Sequence, residues 1–335
     1  MIKRDKTRLS AWICVLILFL LLLVLLWMDI NAGYRKIEPG QIGELLLGQG
    51  EPGLRYTLFH LRLPRVFTSM LVGMGLAGSG AILQGVSRNP MAEPGILGIN
   101  AGGGLFLALF LVFFSGKAEG YSYLLPILAF GGSVTIAVLD FRLARTRRGL
   151  SPRRLLLVGV AVSMGVSSLS SILMLGMSDS EYAFVQSWIS GSIWGADWEN
   201  LKILAPVMFL LLVLSMGKSR TLNVLALGEQ TATGLGVRVS RQNLLLLGTA
   251  VAMSSLCCAV GGGLSFVGLV CPHLSRKLVG PDFRVLLPAS LLTGGCLMAV
   301  SDMISRSLLP PHEIPIGIVA AVMGAPYFIY LLMKE

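Results

Sequence analysis

The stretch from Leu61 to Gly104 decides the fold and reads LRLPRVFTSMLVGMGLAGSGAILQGVSRNPMAEPGILGINAGGG. Two arginines flank Pro64 near its start, and the segment from Val66 to Val86 then contains no charged residue. This segment is long enough to cross a bilayer, which takes roughly 20 apolar residues. Glycine and serine recur in it far more often than in a water-soluble helix, and in lipid such small residues allow helices to pack backbone to backbone. The turn sequence NPMAEPG follows, so the stretch predicts a membrane helix, a turn and the start of another helix.

The composition of the whole chain is that of a membrane protein. Hydrophobic residues make up 54% and charged residues 13% of the 335 residues, against roughly 25% charged in soluble domains. Basic loops beside lipid explain the net charge of +10 better than nucleic-acid binding does. The five cysteines lie in or at the ends of apolar runs, and the three histidines have no metal-ligand spacing. We therefore expect an all-α integral membrane protein with one domain over residues 1–335, without disulfides, catalytic residues, metal or cofactor.

Several motifs, in order along the chain, resemble the FecCD-type permeases of ABC importers, which take up iron-siderophores, haem and cobalamin. They are LRLPR, NPMAEPGILG, LALGEQTATGLGV (Leu225 to Val237), GGLSFVGLVCPHLSR (Gly262 to Arg276) and EIPIGIVAAVMGAPYFIYLL (Glu313 to Leu332). The resemblance implies a ten-transmembrane-helix permease bundle of the type II ABC importer kind, working by alternating access in the cytoplasmic membrane. It implies an iron-siderophore as the leading cargo, because that is the family's commonest substrate class, with haem and cobalamin as alternatives.

Uncharged segments predict the spans themselves, at residues 11–28, 66–86, 95–114, 121–139, 155–177, 203–217, 244–260, 285–301 and 314–333. The run from Leu244 to Pro272 has 29 uncharged residues and could hold one tilted helix or two spans, the second ending at Pro272. Three glycines at 261–263 favour a break. Ten spans also leave more lysine and arginine on the side of the N-terminus than nine do. The positive-inside rule therefore predicts ten spans with both termini cytoplasmic.

Between the fifth and sixth spans, residues 181–200 hold three of the five tryptophans. The segment predicts a short helix and a loop at the outer interface, because indoles favour that layer. An aromatic cage that stacks on substrate is the alternative.

The energy for transport is expected to come from another chain. Gly217-Lys218-Ser219 ends like a phosphate-binding loop, but Leu212 stands where that loop needs its first glycine. The resemblance implies two separate ATP-binding subunits and a contact with them in residues 222–239, as two short helices hinged at Gly228 and Gly234. An ordinary solvated loop is the alternative. The residues that match the family's coupling motif are Leu227, Gly228, Glu229, Ala232, Leu235 and Gly236.

Three arginines form a second constellation, on the predicted outer face. Arg62, Arg65 and Arg306 could be interfacial arginines that reach to headgroups, with Arg306 paired to Asp302 one turn earlier. In the resembling family, arginines at matching positions are sockets for acidic residues on the two lobes of an extracytoplasmic substrate-binding protein. We expect sockets.

The resemblance also implies a dimer with a second permease copy, in which the fifth and tenth spans line the path. The residues so implied are Leu150, Ser151 and Pro152 at the cytoplasmic gate and Gly159, Ser163 and Ser167 on the wall. Helix packing alone could also explain these small residues. An ion-coupled carrier would need a carboxylate or histidine deep in the membrane, and a membrane enzyme would need a catalytic cluster. The sequence favours neither.

Overall fold

The computed structural model describes residues 2–32, 43–45, 47, 51–114, 124–146, 149–150, 152–193, 196–309 and 312–334. The described helices, in chain order, are α1 (Ile2–Asn31), α2 (Pro52–Ser87), α3 (Ile99–Phe113), α4 (Leu124–Ala144), α5 (Pro152–Met174), α6 (Asp179–Ile189), α7 (Trp198–Gly217), α8 (Ser219–Ala226), α9 (Glu229–Gly234), α10 (Val239–Gly261), α11 (Val267–Val279), α12 (Phe283–Ser307) and α13 (Ile316–Lys334). A 3-10 helix, Pro94–Leu97, precedes α3. The strands β1 (Arg145–Thr146) and β2 (Gly149–Leu150) form an antiparallel hairpin between α4 and α5.

The helices make the chain a multi-pass membrane protein, and the predicted all-α class is confirmed. Among the described helices, seven are long and apolar enough to cross a bilayer, namely α1 from Leu9, α2, α4, α5 from Arg154, α7, α10 and α12. Shorter apolar helices are α3 and, up to Tyr330, α13. Exactly ten spans, the predicted number, are therefore not shown by the described residues. The reason is that α3 and α11 each follow irregular backbone, which takes up apolar residues that the sequence assigns to a span.

The predicted break in the long apolar run is confirmed. Helix α10 ends at Gly261, Gly262 and Phe266 both have positive φ, and α11 begins at Val267. The prediction that the second piece ends at Pro272 is wrong, because Pro272 lies inside α11. Proline lacks the N–H that would pair with the carbonyl four residues earlier. That carbonyl, on Gly268, instead accepts from Gln84 Nε2 at 3.5 Å, so a side chain of α2 compensates the lost bond.

Helix α2 forms the centre of the bundle, packed against α10, α11 and α12. Its glycines allow backbone contact, as predicted. A Cβ on Gly80 would collide with the carbonyl of Gly268, and one on Gly73 would collide with the carbonyl of Gly294. Close approach of this kind replaces the hydrophobic driving force that helices lack in lipid. In contrast, α1 and α5 lie at the periphery with most of their side chains exposed.

The short helix predicted after the fifth span is present as α6. A capping box closes its N-terminus: Glu181 N–H donates to Ser178 Oγ at 3.4 Å, and Ser178 N–H donates to Glu181 Oε2 at 3.0 Å. Trp188 contacts the backbone of α3, and Trp198 Nε1 donates to Phe59 O at 2.7 Å. Both indoles therefore contact the protein itself, which does not favour an aromatic cage. The third tryptophan of this segment, Trp194, lies outside the described residues.

Candidate functional site

One candidate site is a group of charged residues at one end of the bundle, which we name the charge cluster. It brings together the end of α1, the first half of α2, the end of α12 and the segment before α13. Its members are Asp29, Arg62, Arg65, Asp302, Arg306 and Glu313. The three predicted arginines are thus adjacent, and they meet three carboxylates. The cluster as a whole is formally neutral.

Arg306 contacts both buried aspartates of the charge cluster. Its Nε is 3.0 Å from Asp302 Oδ2, one helical turn earlier, and its Nη2 donates to Asp29 Oδ1 and, at 3.0 Å, to Asp29 O. A further bond runs from Nη1 to Ala32 O at 3.3 Å. Both carboxylates are fully buried. Arg306 therefore fixes the end of α1 to α12, and the pairing with Asp302 that the sequence left open as an alternative is present.

Arg62 is also buried and holds the end of α1, because its Nη1 donates to Ile30 O at 2.9 Å. It lies in a turn of π-helix, Thr57–Arg62, within α2. Leu63 N–H donates to Leu58 O, and Pro64 has no N–H to offer. The carbonyl of Phe59 instead accepts the indole N–H of Trp198. The LRLPR motif therefore favours the π-helical turn in α2, and Trp198 of α7 stabilises that turn.

Arg65 is the member of the three that reaches the surface, with 16% of its side chain exposed. Its Nε donates to Asp302 Oδ1 at 2.9 Å, and its Nη1 donates to Glu313 Oε2 at 2.6 Å. It borders a cavity of about 410 Å³, whose other lining residues are Ser187, Ser192, Ile193, His312, Glu313, Ile314, Pro315 and Ile316. The cavity offers a partly exposed guanidinium to any group that enters it.

A second candidate site is the pair of short helices α8 and α9 with the residues that follow them, which we name the coupling segment (residues 219–236). Gly228 separates the helices with φ +108°, so the chain breaks there as predicted. The next residue with positive φ is Gly236, at +81°, whereas Gly234 is the last residue of α9 and lies before the second break. Leu227 and Leu235 are 64% and 62% exposed, so two leucines project from neighbouring turns.

The base of the coupling segment is firmly attached to the bundle. Leu225 and Ala232 are buried, so neither contributes to the exposed apolar surface. Asn223 Nδ2 donates to Asp282 Oδ1 at 2.6 Å, and its Oδ1 accepts from Phe283 N–H at 2.9 Å. These bonds join α8 to the N-terminus of α12. Glu229 is exposed in the first turn of α9.

The residues predicted for a path and gate do not share one environment. Leu150 lies in β2, Pro152 begins α5, and Ser151 lies outside the described residues. Gly159 packs on the 3-10 helix, since a Cβ there would lie 2.6 Å from Ile96 O, and Ser163 Oγ donates to Gly159 O at 2.6 Å. Ser167 is exposed. Their place along a path stays a prediction.

Sequence reasoning missed Glu93, which lies in the turn between α2 and the 3-10 helix. Its Oε1 accepts the N–H of Phe266 at 2.6 Å, at the N-terminus of α11. Asn100 Nδ2 donates to Leu264 O at 3.2 Å, in the same break. Burial raises the pKa of Glu93 to about 7, and the hydrogen bond from Phe266 partly opposes that rise. A carboxylate in an apolar turn indicates that some hydrogen-bond donor must lie nearby, but the sequence does not identify that donor.

The described part of the chain contains no group of three or more His, Cys, Asp or Glu side chains that could hold a metal ion. The charge cluster can bind an anionic side chain through Arg65, and the coupling segment can enter an apolar groove.

Comparisons with known proteins identify the family of the chain. The model of the FecCD transport family matches residues 20–334. The iron(3+)-hydroxamate import system permease protein FhuG of Bacillus subtilis (strain 168) is 44% identical over 335 residues, 99% of each chain. The Fe(3+) dicitrate transport system permease protein FecD of Escherichia coli (strain K12) is 41% identical, over 83% of this chain and 86% of that one. The hemin transport system permease protein HmuU of Yersinia pestis is 36% identical, over 82% and 83%.

A solved structure shows the same fold. A protein described as a metal-chelate type ABC transporter, in an inward-facing conformation, superposes with a TM-score of 0.84 and 31% identity, over 96% of this chain and 99% of that one. The expected family is therefore confirmed over nearly the full length. The chain belongs to the FecCD transport family.

Proposed function

We propose that this chain is the permease subunit of a binding-protein-dependent ABC importer that carries an iron-siderophore complex across the cytoplasmic membrane. The observation that carries the proposal is the 44% identity, over 99% of both chains, with an iron(3+)-hydroxamate import permease. Transport follows alternating access: closure of the ATP-binding subunits moves the coupling segment, and the membrane helices open to the other side. The chain itself performs no covalent chemistry.

The arrangement in the membrane has ten passes and both termini in the cytoplasm. The short helices α3, α11 and α13 complete the count that the seven long helices begin. Contacts support this path: the charge cluster joins the end of α1, the start of α2, the end of α12 and Glu313 before α13. Asn223 joins α8 to the start of α12, at the opposite end of that helix. The charge cluster therefore faces outward and the coupling segment faces the cytoplasm.

Each permease copy contacts one ATP-binding subunit through its coupling segment, so that a dimer takes two. Leu227 and Leu235 enter an apolar groove on that subunit, and burial of these two exposed side chains favours the association. The fixed attachment of α8 by Asn223 transmits their movement to α12. Glu229, beside Gly228, sets the orientation of the contact as a rim charge.

The path lies between two copies of the chain, and α5 and α13 line it. Helix α5 supports this position, because its exposed face carries Leu157, Met164 and Ile172 and is left uncovered by the described helices of its own chain. Ser167 lies on the same exposed side, and Gly159 and Ser163 hold the helix against the 3-10 helix. Residues 150–152 form the gate at the cytoplasmic end.

A substrate-binding protein docks on the charge cluster from outside. Arg65 makes the contact with its carboxylate, because Arg65 borders the surface cavity. Arg62 and Arg306 position Arg65 by fixing the surrounding helix ends.

Uptake of a ⁵⁵Fe-labelled ferric trihydroxamate tests the proposal, in cells with this chain as the only permease and in cells without it. We expect uptake only with the chain, abolished by vanadate in ATP-loaded vesicles and insensitive to a protonophore. Hemin and ferric citrate serve as comparison substrates. Vanadate-resistant uptake that a protonophore stops would overturn the proposal and favour an ion-coupled carrier. Uptake of hemin alone would overturn the siderophore assignment.

A further inference from the structure

The two carboxylates that pair with Arg65, Asp302 and Glu313, differ in burial and in number of partners. Asp302 is fully buried and also lies against Arg306, so it serves two arginines. Glu313 is 47% exposed and pairs with Arg65 alone among the ion pairs of the described residues. An exposed ion pair contributes little to folding. Glu313 therefore neutralises Arg65, and displacing Glu313 from Arg65 costs little free energy.

Glu313 also lies where an incoming carboxylate would have to bind. It belongs to the non-helical segment before α13 and lines the same surface cavity as Arg65. Arg65 donates from Nε to the buried aspartate and from Nη1 to Glu313, so an incoming carboxylate competes with Glu313 for Nη1. The cluster has three cations and three anions, and it gains one net positive charge if Glu313 leaves. A single carboxylate restores neutrality.

We propose that Glu313 is an internal substitute for a carboxylate of the docking partner, and that docking displaces Glu313 from Arg65. The inference rests on the proposed docking of a substrate-binding protein at this cluster. A resident competitor lowers the apparent affinity by the fraction of time that the site is occupied. It also rejects partners without a well-placed carboxylate, because they would leave Arg65 paired with Glu313 and gain nothing. The partner's acidic residue thus binds weakly enough to be released after each delivery.

The first experiment probes the site without any partner, by cysteine labelling in a C14S background. E313C is treated with anionic sulfonatoethyl methanethiosulfonate and with its cationic trimethylammonium counterpart, and the ratio of the two rates is measured. E199C, at an exposed acidic position in the first turn of α7, is the control. We expect a several-fold higher anion-to-cation ratio at position 313, lost on adding R65Q and retained with R65K. Equal ratios at 313 and 199 would overturn the inference.

The second experiment measures binding of fluorescent hexaglutamate to the purified full chain. We expect E313Q to bind about two- to five-fold more tightly than the wild type, the range for loss of an exposed ion pair, and E199Q to match the wild type. Weaker or unchanged binding by E313Q would overturn the inference.

The two proposals can fail separately. If labelling and peptide binding behave as expected but cells with the intact protein take up no ferric trihydroxamate, the proposed function fails. The inference that Glu313 occupies the site of a partner carboxylate then stands. If uptake is present but position 313 behaves like position 199 in both experiments, the inference about Glu313 fails alone.

Discussion

The charge cluster and the coupling segment, the two proposed partner sites, differ in how far their side chains are already satisfied within the chain. In the cluster, the described charges already have partners: Arg306 contacts both Asp29 and Asp302, and Arg65 contacts both Asp302 and Glu313. In the coupling segment, Leu227 and Leu235 are left exposed above a buried base. A buried charge must be satisfied before any partner arrives, because an unpaired one is far too costly. An exposed leucine lowers the stability of the isolated chain very little, so it needs no contact before a partner binds.

The difference predicts different responses to mutation. Changes in the cluster should lower the stability of the isolated chain, because its pairs hold the ends of α1, α2 and α12 together. Changes at the coupling leucines should lower transport and leave the isolated chain as stable as before. Thermal unfolding in detergent and uptake of a ferric trihydroxamate, measured on the same variants, separate the two responses.

The largest effect is expected for D302A. This change leaves Arg65 with only its exposed partner and removes one carboxylate from buried Arg306. Removing one member of a buried ion pair costs about 3–5 kcal/mol, so the unfolding temperature should fall by several degrees. E313Q, which removes the exposed partner of the same arginine, is the matched control and should change stability by less than about 1 kcal/mol. Equal losses in the two variants would show that the cluster is not a structural unit.

The next effect is expected for L227D and L235D, each made singly. A buried contact residue of this kind contributes about 2 kcal/mol or more to association, so uptake should fall about 30-fold at limiting ATP-binding subunit. The unfolding temperature of the isolated chain should not change, because both side chains are exposed. L227M and L235M preserve the apolar surface and should transport normally. A normal transport rate in the aspartate variants would remove the coupling segment from the mechanism.

A smaller effect is expected for G228A, with G234A as its matched control. Gly228 has φ +108° and ψ 155°, a conformation that is essentially restricted to glycine and costs about 1–3 kcal/mol for other residues. Gly234 lies in α9, and a Cβ added to it would have no other atom within 4 Å, so alanine there should be neutral or stabilise by about 0.4–1 kcal/mol. G228A should therefore reduce uptake while G234A does not. The opposite order would place the working hinge at Gly234.

Local pattern in the sequence predicts part of this fold correctly. The glycine-rich span, the break at residues 261–263 and the hinge at Gly228 all follow from the conformational range of glycine and the polarity of the neighbouring residues. The backbone contacts of the glycines in α2 also follow, since few other reasons put so many glycines in a membrane helix.

What the sequence does not predict depends on which distant residues meet. Arg65 and Glu313 are 248 positions apart, and no periodicity relates them. Pro272 resembles a helix end because a proline removes a backbone bond, and only the fold shows Gln84 of α2 supplying a replacement. For a similar reason, the sequence does not predict which of the ten expected spans are long helices and which are short. Hydropathy does not distinguish apolar helix from the apolar but irregular backbone before α3 and α11.

The smallest effect is expected for E93Q, and it appears as a pH dependence. Burial raises the pKa of Glu93 from its ordinary value of 4.5 to about 7, so the folded chain favours the protonated form. Stability from this group is therefore complete below pH 4.5, declines as the pH rises to about 7 and is constant above that. Glutamine cannot ionise but keeps an oxygen for the N–H of Phe266. E93Q should thus gain about 1 kcal/mol over the wild type across that window, since partial solvation reduces the full value.

The measurement for E93Q is the difference between the two unfolding curves at each pH, which cancels the other carboxylates. E93A is the control, because it removes the charge and the acceptor together. It should be less stable than E93Q at every pH by about 1–3 kcal/mol, the cost of leaving a buried N–H without a partner. A difference between E93Q and wild type that is flat from pH 4.5 to 7 would mean that Glu93 is already ionised in the fold. The N-terminus of α11 would then be held by a full negative charge, and the break before α11 would be an electrostatic contact like those of the charge cluster.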